Sequence, residues 1–171
     1  TQVYNLDEVP TNRAGAKPEH LNKIIFLSDR LIVFSDYGAW IKKANENFKP
    51  FNLPAPADTL FFKDAVKAND SILYCSTFKQ TFKWNTRSNT VENVYYNQSL
   101  KMKKEEATMV FLTMTADNEL WLLNGYDWLS HTNNTELTSV KFSSVEKDGS
   151  NGYYTSMIAD KKNDLWMTKK G

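Results

Sequence analysis

The chain has one cysteine, Cys75, in 171 residues. That excludes an internal disulfide framework and any cysteine-based zinc cluster. There are two histidines, His20 and His131, far apart in sequence, which argues against a His-rich metal site or a hydrolytic triad. Neither charge dominates: 21 basic against 20 acidic side chains give a net charge of +1. The electrostatic reason to expect DNA, RNA or an anionic membrane as partner is therefore absent. Arginine, the side chain best suited to gripping phosphate, occurs only at Arg13, Arg30 and Arg87. No Gly-rich phosphate loop is present, and no cofactor is expected. Long apolar runs are missing too, so neither a membrane-spanning helix nor a signal peptide can be read. What remains is ordinary folded-protein composition, 41% hydrophobic and 24% charged, at the length of one domain.

The apolar residues come in runs of four to seven. Examples are Ile24 to Leu27, Leu31 to Phe34, Ile72 to Cys75, Met109 to Leu112 and Leu120 to Leu123. Runs this short, rich in β-branched and aromatic residues, predict strands buried on both faces. No window sustains helical periodicity, and Lys101 to Thr108 offers a turn or two at most. Glycine is scarce at 6, while asparagine is abundant between the runs. Asparagine tolerates the left-handed conformation of tight turns and can stand in for glycine there. The expected class is all-β, built of Asn-punctuated hairpins.

The pattern repeats. Phe26 to Ser35, Asp64 to Ser76, Met114 to Asn124 and Met157 to Thr168 each read as strand, polar turn with Asp or Asn, strand. Ile32, Leu73, Trp121 and Trp166 are taken as equivalent, at spacings of 41, 48 and 45 residues. A period in the forties made of short strands predicts propeller blades. Third strands follow around Trp40, Trp84 and Trp128, and fourth strands at 48–53, 91–96 and 139–144. The blades are expected over 21–56, 57–100 and 101–148. A half blade follows at 149–171, and 1–20 reads as an outer strand and linker. Two readings of the ends compete: the terminal pieces close a small ring, or the chain is part of a larger propeller. The second is favoured, because the ends supply only three strands. A cut propeller exposes apolar blade faces and predicts self-association, as a homodimer.

The stretch Met157 to Gly171, with Asp160, Leu165 and Trp166, resembles the two-component-regulator propeller repeat. Ala116 to Leu122 is similar, and Asp29 to Gly38 fits with Ile32 in the tryptophan place. In the repeat at Asp70, Leu73 replaces tryptophan and Lys79 the later glycine. The resemblance implies the periplasmic sensor region of a hybrid two-component regulator of Bacteroides-like bacteria, which detects oligosaccharides. It further implies neighbouring propeller and β-sandwich domains, and a histidine kinase elsewhere in the parent chain. This segment itself would contact neither nucleic acid nor membrane and would catalyse nothing.

Five aromatic residues are candidates for stacking on sugar rings, whose C–H faces suit an aromatic surface. Trp40, Trp84 and Trp128 lie on third strands near the rim; Tyr37 and Tyr126 fall in loops after second strands. Ordinary packing competes for the three tryptophans. Trp121 and Trp166, mid-strand beside leucine, read as core between blades. Asp29, Asp117 and Asp160 could be paired carboxylates of a glycosidase, but they recur at one turn, where Asp caps the backbone. Two further classes stay open: a protein-interaction scaffold without a small ligand, and a glycan-active enzyme.

Overall fold

The computed structural model describes residues 20–54, 61–77, 80–96, 110–124, 128–132, 137–141 and 153–170. The expected outer strand at the N-terminus and the short helical stretch at 101–108 lie outside them. Fourteen strands are described. β1 to β4 are Leu21–Phe26, Arg30–Ser35, Gly38–Lys43 and Lys49–Phe51. β5 to β8 are Phe62–Lys67, Ile72–Thr77, Gln80–Asn85 and Thr90–Tyr96. β9 to β12 are Val110–Met114, Leu120–Asn124, Trp128–Thr132 and Leu137–Lys141. β13 and β14 are Tyr153–Ala159 and Leu165–Lys170. They form three four-stranded antiparallel sheets and one two-stranded sheet, each in simple sequence order. β1 meets β5, β5 meets β9, and β9 meets β13. First strands thus gather at a common axis and the sheets radiate from it, which is a β-propeller arrangement.

The second strands of the first two blades are buried almost throughout, whereas β14 is mostly exposed. In β2 every residue from Leu31 to Ser35 is buried. Alternation divides them: Ile32 and Phe34 join Leu73, Cys75 and Trp84 of the second blade, while Leu31 and Val33 join Trp40 on the opposite face. Tyr74 packs the other way, onto Leu112, Leu120 and Leu122 of the third blade. Each such fully buried large side chain contributes roughly 1.5–3 kcal/mol by leaving water.

Turn chemistry follows the asparagine expectation. The four non-glycine residues described with positive φ are Asn45, Asn89, Asn118 and Asn163, at 55–68°. Their short amide side chains make the left-handed region tolerable. The repeat alignment, however, needs correction. Ile25 pairs with Ile32, Val66 with Tyr74, Thr113 with Trp121 and Ile158 with Trp166. Tyr74, not Leu73, therefore holds the tryptophan place, and the spacings are 42, 47 and 45. The cause is turn length. Leu27 N–H closes onto the Arg30 carbonyl, three residues on. Ala68, Thr115 and Asp160 close onto Ile72, Glu119 and Asp164, four residues on. A one-residue slip moves a strand residue to the other face, so the second blade keeps an aromatic ring where the sequence alignment put leucine.

Candidate functional site

Three of the four first strands carry a β-bulge at one point. Register shifts fall between Leu21 and Lys23 in β1, between Phe62 and Asp64 in β5, and between Tyr154 and Ser156 in β13. A bulge adds one unpaired residue and re-aims its side chain. Here the added residues are Asn22, Lys63 and Thr155. Two of them converge on Asp36: Asn22 Nδ2 donates to Asp36 Oδ1 at 2.8 Å, and Lys63 Nζ lies 3.6 Å from the same oxygen. Asn22 Nδ2 also donates to the Phe62 carbonyl at 2.6 Å. The side chains of Asp36 and Lys63 keep about a quarter of their surface exposed.

Asp36 and Tyr37 are the two central residues of the β2–β3 hairpin, between paired Ser35 and Gly38. Tyr37 N–H donates to Ser35 Oγ at 3.0 Å, and Gly38 takes φ 130°, a value that a side chain would strain. Tyr37 is half-buried and packs against the cluster of Leu31, Val33, Trp40 and Phe48. Carboxylate, amide and ammonium thus meet where blades one and two adjoin. Such a set of donors and acceptors suits a polyhydroxylated ligand.

Directly beneath, Asp64 is buried and fully engaged. Its Oδ1 lies 2.9 Å from Lys23 Nζ and accepts from Ala65 N–H at 2.8 Å; its Oδ2 accepts from Leu112 N–H at 2.9 Å. It joins the first strands of three blades. A separate open cavity of about 340 Å³ lies at the other end of blade one, among the β1–β2 and β3–β4 turns, with Phe26, Arg30, Leu31 and Asn45 in its lining.

Of the five predicted ligand residues, Tyr37 follows Asp36 in the β2–β3 hairpin and packs on the first-blade cluster around Trp40. Trp40 and Trp84 are wholly buried, which corrects their assignment to the rim. Trp84 sits edge-on to Phe34 (6.5 Å) and tilted on Phe51 (4.7 Å), and its Nε1 donates to Asn89 Oδ1 at 3.2 Å. First-blade residues cover its ring, leaving no face for a sugar. Trp128 begins β11, its side chain lying outside the description, and Tyr126 lies outside the described residues. Trp121 stacks on His131 at 4.5 Å, whereas Trp166 is 62% exposed rather than core.

The three recurrent aspartates serve structure in three ways. Asp160 Oδ1 caps its turn, accepting from Lys162 N–H at 2.7 Å and Asp164 N–H at 3.1 Å. Thr115 holds that place in the third blade, its Oγ1 accepting from Glu119 N–H. Asp117, two residues further, instead accepts from Asn163 Nδ2 of the next turn. Asp29 grips Arg30 through both oxygens, and this guanidinium holds the Asp29 carboxyl below its usual range. Among the described residues no cluster of His, Cys, Asp and Glu could hold a metal ion.

No protein-family model matches the chain, and no curated protein matches it in sequence. Solved structures match its fold. One is the extracellular domain of a hybrid two-component system of B. thetaiotaomicron, with 18% identity and TM-score 0.63, covering 90% of this chain. Others are the WD40 β-propeller domain of Doa1 (9% identity, TM-score 0.66, 89% of this chain) and virginiamycin B lyase of Staphylococcus aureus (13%, 0.64, 92%). This chain spans 19% of the first of those chains, 48% of the second and 54% of the third.

Proposed function

We propose that this chain is part of the periplasmic sensor region of a hybrid two-component signalling protein and binds an oligosaccharide. The observation that carries the ligand reading is the convergence of Asn22, Asp36 and Lys63, with Tyr37 next to Asp36 in the same hairpin. Three segments and two bulges place these groups at one end of the axis, where a propeller's loops meet ligands. The fold likeness to the extracellular domain of a two-component system supports the setting. In this reading Tyr37 stacks on a sugar ring while Asp36 and Lys63 bond hydroxyls. The signal passes to neighbouring propeller and sandwich domains of the parent chain, and on to its kinase, because ligand favours one arrangement of those domains. The segment itself binds without turnover; Asp29, Asp117 and Asp160 are spent on turns and blade contacts.

Titration calorimetry of the chain against plant and host oligosaccharides tests this. Binding by at least one glycan, weakened about tenfold or more in Tyr37→Ala and Asp36→Ala with folding unchanged, is expected; losing a stacked ring and a charged hydrogen bond each costs enough for that. Absence of binding across the panel by a folded chain would shift the reading to a protein-interaction scaffold. Virginiamycin B lyase shows that an enzyme can have this fold; product released from a bound glycan would move the reading there.

A further inference from the structure

Phe61 and Phe62 are neighbours in sequence with opposite fates. Phe62 is 1% exposed, its ring 5.0 Å from Phe34 and 6.4 Å from Phe82 in the core shared by blades one and two. Phe61 is 45% exposed. An exposed phenylalanine taken alone needs no explanation; the place of this one gives it meaning. The Phe62 carbonyl accepts from Asn22 Nδ2 at 2.6 Å, and the same nitrogen donates to Asp36 Oδ1 at 2.8 Å. Lys63, next along the chain, lies 3.6 Å from that carboxylate oxygen. Consecutive Cα atoms are about 3.8 Å apart, so Phe61 adjoins a residue that is itself part of the polar cluster. That residue is fixed twice, by a ring sunk in the core and by a held carbonyl. An aromatic surface carried on so fixed a segment loses little freedom when a ligand covers it.

Tyr37 belongs to the other side of blade one. It packs with Leu31, Val33 and Trp40, on the face opposite the one that meets blade two. Phe61 instead enters blade two, the blade that supplies Lys63. An apolar surface and an ammonium thus come from the one stretch 61–63.

Charge narrows what can bind. Lys63 faces Asp36, and beneath them Lys23 lies 2.9 Å from Asp64. The two pairs supply no surplus cation. An acidic sugar would set its carboxylate or sulfate against Asp36 without one, a like-charge contact that disfavours binding. A neutral sugar offers hydroxyls to the carboxylate, amide and ammonium, and a C–H face to the phenyl ring.

We propose that this site takes a neutral glycan, with one sugar ring stacked on Phe61. The role of Phe61 rests on the carbohydrate reading of the Asp36 cluster. It adds a second aromatic ring, on the blade-two side, and a charge class.

Calorimetry of the chain against neutral fragments of xylan, glucan and mannan, and acidic fragments of galacturonan and chondroitin sulfate, tests it. A neutral fragment should bind about tenfold or more tighter than any acidic one. Phe61→Ala and Phe61→Leu should each weaken that binding about tenfold, because leucine restores apolar area without a flat ring. Phe61→Trp should keep the affinity, and the emission it adds to the wild-type spectrum should shift with the glycan. The side chain is exposed, so thermal melts of all three variants should match the wild type. Binding that Phe61→Ala leaves intact overturns the role of Phe61 and spares the carbohydrate reading. Full binding by Phe61→Leu overturns the stacked ring, and tighter binding of an acidic fragment overturns the charge class. A folded wild type that binds no fragment overturns the carbohydrate reading and the role of Phe61 together.

Discussion

Asp64 ties the axis together. It is 7% exposed and accepts from two backbone N–H groups and an ammonium belonging to β5, β9 and β1. Its own N–H donates to Ser76 Oγ at 3.1 Å, and that hydroxyl donates to the Val110 carbonyl at 2.8 Å. A buried carboxylate is costly unless paired and hydrogen-bonded, and here its partners come from three blades. Asp64→Ala strands the Leu112 and Ala65 N–H groups and should cost about 3 kcal/mol. Lys23→Ala should cost about 1 kcal/mol or less, because the Lys23 side chain is 37% exposed and solvent screens it. Urea denaturation of the two variants checks the ranking; equal losses would mean that the ion pair, rather than the backbone bonds, holds the blades.

The elements were legible in the sequence to the extent that local chemistry determines them. Short apolar runs separated by asparagine and aspartate yield the strands, and the left-handed turns do fall on asparagine. Asn118 and Asn163 separate two uses of that residue. Asn118 supplies its left-handed conformation and donates its backbone N–H to the Thr115 carbonyl. Asn163 also crosses between blades, its Oδ1 accepting from Ala116 N–H at 2.7 Å and its Nδ2 donating to Asp117. Asn118→Gly should be nearly neutral, and Asn118→Val should cost about 1–2 kcal/mol in the left-handed region. Asn163→Gly should cost about 1 kcal/mol for its lost side-chain bonds. Thermal melts of the three variants check this. Register was less legible. The tighter turn at Leu27 to Arg30 leaves no compositional mark, and one residue decides which face Leu73 and Tyr74 take. The bulges that aim Asn22 and Lys63 at Asp36 are equally silent. The loop position of Tyr37 could be read because a loop needs no register, whereas the burial of Trp40 and Trp84 depends on what lies over their strands.

At the scale of the whole molecule, acid should loosen the turns together. Arg30 holds the Asp29 carboxyl low, Lys49 does so for Glu46, and Lys67 for Asp70. For Asp160 the leading cause is the Trp166 indole N–H, followed by the backbone N–H of Lys162. In each case the folded pKa lies below the unfolded one. Their stabilisation is thus complete above the ordinary carboxylate range, near pH 4, and is lost as pH falls through the lowered values. These four groups should leave the melting temperature level from about pH 5 to 8 and lower it below about pH 4. Salt separates the causes. The three lysine and arginine pairs are exposed and should weaken at about 0.5 M sodium chloride, whereas the Asp160 contacts are to neutral N–H donors and should persist. Asp160→Asn should therefore flatten the residual acid dependence that remains in high salt. If the variant and the wild type lost stability in parallel there, the carboxylate of Asp160 would not be what fixes its turn, and the Trp166 indole would lack an acid-sensitive anchor.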